Sequence, residues 1–256
     1  MSQHSLTAVR VLLTMESLAA EPELGVTELG KRFGWSKASV HRILQALVET
    51  GYAEQVPETE KYRLTTKLFR IGSAVIHRTG LTQAALPVME DLFEKTRETI
   101  NLAILDGSDV VYVQKIETEA LIGENIRVGS RFPAHCTALG KVLLADLPEH
   151  ALDELLGDME FVQCTPNTIT QEQALREALS SIRQRGYAVD REELSLGLQC
   201  VAAPIRDSSG KAIAALSVSG PVTRRADDDL PLLGRLLVEA VSSISRNLGY
   251  VDGICT

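Results

Sequence analysis

The chain has 256 residues, of which 45% are apolar and 23% charged. That is enough for two domains of ordinary size, and the composition is that of a globular chain rather than a disordered or fibrous one. The opening Met1-Ser2-Gln3-His4-Ser5 has neither the basic nor the apolar region of a secretory leader. No stretch approaches the ~18 apolar residues of a membrane span, so a soluble cytoplasmic protein without a membrane partner is expected. Cys136, Cys164, Cys200 and Cys255 stand 28, 36 and 55 positions apart. With no CxxC pair and no zinc-finger spacing, reduced thiols, no metal and no cofactor are expected. The net charge of −8 argues against nucleic acid as a partner until it is split, for residues 1–80 carry +2 and residues 81–256 carry −10. Lys31, Arg32, Lys37 and Arg42 lie in a twelve-residue window without an acid, the one stretch suited to phosphates.

Ala8, Val11, Leu12, Met15, Leu18 and Ala19 recur with helical spacing and predict a first helix with one buried stripe, ending near Glu21-Pro22. Thr27 is a candidate N-cap for a second, shorter helix that carries Leu29 and Phe33 and stops at Gly34. After the turn Gly34-Trp35-Ser36, Ser36 is suited to cap a third helix whose buried face is Val40, Ile43, Leu44 and Leu47, with Gly51 as terminator. The opposite face presents Lys37, Ser39, His41, Arg42 and Gln45. Polar and basic groups in the first turns of the second helix of a helix-turn-helix enter the major groove. Tyr52–Val56 and Lys61–Leu64 flank Pro57-Glu58-Thr59-Glu60 as the two strands of a wing, and Lys61 and Arg63 on it are in reach of a DNA backbone. The predicted DNA-contacting set is therefore Ser36, Lys37, Ser39, His41, Arg42, Gln45, Lys61 and Arg63. His41 serves equally well as an exposed bystander.

Residues 66–79 read as a connecting helix with Leu68, Ile71 and Val75 on one stripe, suited to pairing with a second subunit or to packing on its own domain. A helix from about Thr82 to Glu98 follows, then a hairpin of Asn101–Leu105 and Val110–Ile116 around Asp106-Gly107-Ser108-Asp109. Three helices are predicted next: Thr137–Leu147, a short one after Pro148, and Thr170–Arg185 opened by a Thr170–Gln173 capping box. Strands Leu198–Ile205 and Lys211–Ser219 surround Asp207-Ser208-Ser209-Gly210, and a last helix carries Leu230, Leu233, Leu237, Val241, Ile244 and Leu248. This order predicts an α+β fold, an antiparallel sheet with helices packed on it.

The segment 129–141 invites three readings. A phosphate-binding loop would need Gly at 135 and Ser or Thr at 142, where His135 and Val142 stand. A His135–Cys136 nucleophilic pair suffers because adjacent side chains rarely face one another, and no third group is evident. A helix start at Thr137, Ala138 and Leu139 with open N–H groups suits a small carboxylate or phosphate. Ser217 and Ser219 share one strand face, and Leu198 and Cys200 share one on the partner strand, as the lining of a pocket would. The plainer alternative, that both serines meet backbone or water at a strand end, fits the same spacing.

The blocks RVGSRFPAHCTALGKVLLADL (127–147) and REELSLGLQCVAAPIRDSSGKAIAALSVSGP (191–221), set behind a winged helix-turn-helix and a linker helix, resemble the IclR (isocitrate-lyase-regulator) family of bacterial transcription factors. The likeness runs from about Leu6 to Leu248. It implies a DNA-binding domain at 1–65, a linker helix at 66–81 and a GAF-like effector-binding and oligomerisation domain at 82–256. It further implies dimers or dimers of dimers, operator DNA as partner, repression as the more common sign of control, and a small aromatic, keto or sugar-derived carboxylic acid as effector. By motif the resemblance puts the effector pocket at Ala138, Leu139, Asp190, Leu198, Cys200, Ser217 and Ser219, with Leu121 and Phe132 as apolar wall. Members that answer to glyoxylate and pyruvate have Gly-Ala in place of Ala138-Leu139 and an apolar residue in place of Glu124, which disfavours those two acids here. The leading expectation is thus a regulator without enzymatic activity. The competing one is an enzyme that converts a small acid at His135 and Cys136, and a metal held by His135, Cys136 and Cys200 is a third.

Overall fold

A computed structural model describes residues 5–77, 80–117, 126–224 and 229–251, with backbone alone at 73–77. The chain folds as two compact units, Met1–Arg78 and Thr79–Thr256. In the first, helices α1 (Leu6–Ala20), α2 (Val26–Phe33) and α3 (Lys37–Glu49) precede the hairpin β1 (Ala53–Gln55) and β2 (Tyr62–Leu64), and α4 (Lys67–His77) closes the unit. Val40, Ile43, Leu44 and Leu47 of α3 are all buried, meeting Leu29 of α2 and Leu18 of α1. Gly34 ends α2 in the left-handed region at φ 68°, a conformation glycine adopts without strain, and the Trp35 N–H closes back on the Gly30 carbonyl at 3.0 Å. The wing pairs Ala53 with Leu64 and Gln55 with Tyr62. Leu24, between α1 and α2, is bridged to Tyr62 by two backbone bonds of 3.0 and 2.9 Å and so ties the wing to the helices.

Two details of this unit differ from expectation. The α1 stripe is only partly buried: Leu18 is in the core, but Leu12 is 58% exposed and Ala8 and Ala19 face outward. Two apolar rows lie on α1, and a single 3.6-residue periodicity does not distinguish the row that is covered from the row that is not. Thr27 lies inside the first turn of α2, and the cap position is Gly25, whose N–H donates to Glu28 Oε2 at 2.6 Å. At the start of α4, Lys67 Nζ reaches the Thr50 carbonyl at 2.6 Å and sits 4.3 Å from the Tyr52 ring centre.

The second unit is built on a six-stranded antiparallel sheet. Helix α5 (Leu81–Thr96) leads into β3 (Thr99–Asp106) and β4 (Asp109–Ile116), then β5 (Arg131–Pro133) and a 3-10 turn at Ala134–Cys136. Helices α6 (Ala138–Asp146), α7 (Glu149–Gly157) and α8 (Glu172–Arg185) follow, then β6 (Ala188–Arg191), β7 (Leu198–Arg206), β8 (Ala212–Pro221) and α9 (Leu230–Asn247). The spatial order is β5-β4-β3-β8-β7-β6. One sheet face is covered by α5 and α9 through Ala85, Met89, Leu237 and Val241. The other is covered by α6, α7 and α8 through Leu144, Leu152 and Leu179, over a floor of Ala103, Ala188, Ala202 and Ala215. Small residues on that floor let α6 lie close to the strands. The sheet is antiparallel with helices on both faces, an α+β fold as predicted. Helix α8 begins at Glu172 with Gln171 as its cap residue and no side-chain cap bond, so the Thr170 capping box does not form.

Candidate functional site

On the first unit, α3 is anchored by Ser36, whose Oγ accepts the Ser39 N–H at 3.3 Å. Its exposed face carries Lys37, His41, Arg42 and Gln45. Lys37, His41 and Gln45 lie four apart and form one row, with Arg42 beside it. Among the described residues these four have no ion pair or side-chain hydrogen bond. Ser39 is half-buried and accepts from Arg10 Nη1 at 3.3 Å, while the Arg10 guanidinium lies 5.3 Å from the Trp35 ring centre. Arg10 thus locks α1 onto the start of α3. Within the basic window Arg32 is paired with Glu21. On the wing Lys61 is paired with Glu28 at 2.8 Å and Arg63 with Glu54 at 2.7 Å. The bond to Glu28 raises the Lys61 ammonium above its ordinary range, and the bond to Glu54 does the same for Arg63. These pairs are exposed and screened by solvent, so a phosphate can take the place of either carboxylate.

On the second unit, sheet register assembles a polar row. Asp190 pairs with Cys200, Cys200 with Ser219 and Ser219 with Thr99, while one step along Ser217 pairs with Asn101. Directly paired residues point to one face, here the α6 face. The first turn of α6 closes over the row. Ala138 and Leu139 meet Asp190, Leu198, Cys200, Ser217 and Ser219 around a cavity of about 10 Å³, walled also by Tyr112, Ile126, Thr137 and Leu194. That space holds about one water molecule. Asn101 Nδ2 donates to Ser217 Oγ at 3.4 Å and to Ser219 Oγ at 3.1 Å, leaving its buried Oδ1 without a partner. Phe132 packs edge-on against Tyr112, with ring centres 5.7 Å apart, and therefore backs the wall rather than lining the cavity. Leu121 and Glu124 lie outside the described residues.

The α6 terminus is held by Thr137, whose Oγ1 accepts the Gly140 N–H at 2.9 Å. The Thr137 N–H itself goes to the Ala134 carbonyl at 3.3 Å, so it is not open to a ligand. The N–H groups of Ala138 and Leu139 have no acceptor within the helix. A Cβ on Gly140 would stand 2.2 Å from the Ala134 oxygen, so this close approach admits glycine alone. Below, Lys141 is buried, forms an ion pair with Glu193 and donates to the Val189 carbonyl at 2.8 Å. Asp190 Oδ1 accepts the Glu193 N–H at 2.7 Å. Burial, opposed by Lys141 and reinforced by Glu193, raises the Asp190 carboxyl to about 7. Burial likewise pushes the Cys200 thiol well above its usual range. The cavity floor thus offers a carboxyl that keeps its proton up to about pH 7, a thiol and two hydroxyls, and its rim offers two backbone donors with the positive end of a helix.

His135 and Cys136 do approach one another, Nε2 to Sγ at 3.3 Å, although neighbours in sequence were not expected to. His135 Nε2 also meets the Val162 carbonyl at 3.0 Å, and burial keeps the imidazole below its ordinary pKa. Burial raises the Cys136 thiol, the reverse of what an activated nucleophile needs. Among the described residues no three His, Cys, Asp or Glu are grouped to hold a metal, and Cys200 aligns with Asp190 and Ser219 instead.

Residues 7–57 match the IclR helix-turn-helix domain, and residues 73–246 match the C-terminal domain of bacterial IclR transcriptional regulators. The chain belongs to the IclR family. It is 37% identical over 246 residues to the HTH-type transcriptional regulator KdgR of Escherichia coli, covering 96% of this chain and 94% of that one. The transcriptional repressor IclR of the same organism is 31% identical, over 88% of this chain and 83% of that protein. An IclR homologue from Microbacterium hydrocarbonoxydans, solved in complex with 4-hydroxybenzoate, superposes with a TM-score of 0.81 at 27% identity, covering 94% of this chain and 97% of its own. IclR proteins are DNA-binding transcriptional regulators, and the chain is one of these rather than an enzyme. Sequence reasoning passed over Tyr112, Ile126 and Leu194 of the cavity wall and Asn101, which donates to its two serines. The sequence shows Asn101 only as a lone amide in an apolar strand, and its place opposite Ser217 comes from the register.

Proposed function

We propose that the protein is a repressor whose hold on an operator is altered by a small hydroxylated carboxylic acid, aromatic, keto or sugar-derived, bound at the start of α6. In this reading residues 1–65 bind DNA, 66–81 link, and 82–256 bind the effector and associate with a second copy in the cytoplasm. Ser36, Lys37, His41, Arg42 and Gln45 meet the groove, Lys61 and Arg63 meet phosphates, and Ser39 holds α3 through Arg10. The observation that carries the reading is the convergence of Ala138, Leu139, Asp190, Leu198, Cys200, Ser217 and Ser219 on one cavity in a chain that also carries a helix-turn-helix. The acid's carboxylate accepts from the Ala138 and Leu139 N–H groups, and its hydroxyls meet Ser217, Ser219 and the protonated Asp190. Binding there favours one arrangement of the paired recognition helices over another.

The test is fluorescence anisotropy of a labelled DNA fragment from upstream of the protein's own gene, at two salt concentrations, with and without a panel of acids that includes 4-hydroxybenzoate. Salt-sensitive binding released by one acid is the expected result. Binding indifferent to every acid sinks the effector assignment, and DNA affinity that does not change with salt sinks the operator assignment.

A further inference from the structure

The geometry points to Cys136 and Cys164 as a thiol pair that a hydroperoxide converts to a disulfide, clamping the wall of the effector cavity. The two sulfurs stand 3.3 Å apart, about 1.3 Å more than a disulfide bond length. Neither thiol belongs to the cavity lining. Cys164 is exposed, whereas Cys136 is buried. The exposed thiol is the one an oxidant can reach, and the buried one stands behind it as the resolving partner.

The step balances. The Cys164 thiolate attacks one oxygen of the hydroperoxide and the O–O bond breaks, giving the sulfenic acid and an alkoxide or hydroxide that leaves protonated. The Cys136 sulfur then attacks the sulfenyl sulfur, the S–O bond breaks, and hydroxide departs with the Cys136 proton as water. Two electrons pass from the thiol pair to one peroxide.

The consequence follows from what each sulfur is attached to. Cys136 ends the 3-10 turn one residue before Thr137, the cap of α6. Cys164 opens a loop bound to the turn after β6. Thr165 Oγ1 donates to the Glu192 carbonyl at 2.6 Å and Thr168 Oγ1 to the Glu193 carbonyl at 2.6 Å. Asp190 stands on β6 just before that turn and is bonded to it through the Glu193 N–H at 2.7 Å. A bond between the sulfurs therefore joins the two walls that must separate for a cavity of about 10 Å³ to admit an acid. The clamp rests on the effector reading for its purpose, while the disulfide does not.

Full-length protein is reduced, desalted, exposed to hydrogen peroxide, alkylated and digested without reductant. A peptide pair joining Cys136 to Cys164 is expected, lost on reduction with dithiothreitol, absent from Cys164→Ser and retained in Cys200→Ser. Cys164 is exposed, so its replacement leaves the fold in place. In the linked protein, amide hydrogen exchange at 137–139 and 162–168 is expected to slow about tenfold or more. Thiols that stay free under oxidant, or a link to Cys200 or Cys255 instead, overturn the pair. A link with unchanged exchange overturns the clamp. Neither readout uses DNA or an acid, so failure here is distinguishable from failure of the regulatory reading.

Discussion

Asp190 is 1% exposed and faces Lys141 on α6, Glu193 beyond its own strand and Cys200 across the sheet. Its carboxyl is raised from 3.8 to about 7 by burial, which fixes the sign of a pH effect. Below pH 3.8 the folded and unfolded chains both hold this proton. Between 3.8 and about 7 the unfolded chain releases it and the folded chain keeps it, so the contribution to stability falls as pH rises and levels off above 7. Asp190→Asn has no such proton. Compared with wild type in urea, it is expected to gain about 2–3 kcal/mol between pH 5 and pH 8, and a difference that stays constant over that range refutes the assignment. Gly140 makes a steric prediction. Its Cβ in Gly140→Ala would meet backbone at 2.2 Å, and a loss of at least ~1–3 kcal/mol in unfolding free energy is expected. An unchanged urea midpoint would show that α6 can shift away from the 3-10 turn.

At the scale of elements, α3 was legible because its signals agree: a serine cap, four apolar positions at helical spacing and a glycine stop all describe one helix. Ser36→Ala removes the cap, with an expected cost of about 1 kcal/mol. Faster hydrogen exchange at the Ser39 amide, its bonded partner, checks this, and an unaltered rate would mean that neighbouring packing alone holds the turn. The hairpins and α9 were legible for similar reasons. Strand β5, three residues long, was not, because it is too short to show alternation and gains its pairing with β4 from tertiary context. Pocket residues drawn from one strand face could be read as pairs, Ser217 with Ser219 and Leu198 with Cys200. What pairs them across strands is register, which depends on where each turn falls. For that reason Asn101 and Tyr112, on β3 and β4, stayed hidden among apolar neighbours.

For the molecule as a whole, the charge is divided along the chain, +2 over residues 1–80 against −10 over the remainder. Binding to DNA should therefore be steeply salt-dependent despite the net −8. The slope of log affinity against log salt is expected to lose about 0.9 in Arg42→Ala if that side chain contacts a phosphate. An unchanged slope would remove Arg42 from the backbone contacts and leave it reading bases.

The size of the cavity has a kinetic corollary. A space of about 10 Å³ cannot receive a multi-atom acid on first encounter, so the walls must part before the ligand is captured. In stopped-flow mixing, the observed rate should then cease to rise with ligand concentration and settle at the frequency with which the α6 turn lifts from the sheet. Release passes through the same opening, so a fall in effector concentration is registered no faster than the turn lifts in the liganded protein. A rise would be answered no faster than the protein breathes, however abundant the acid.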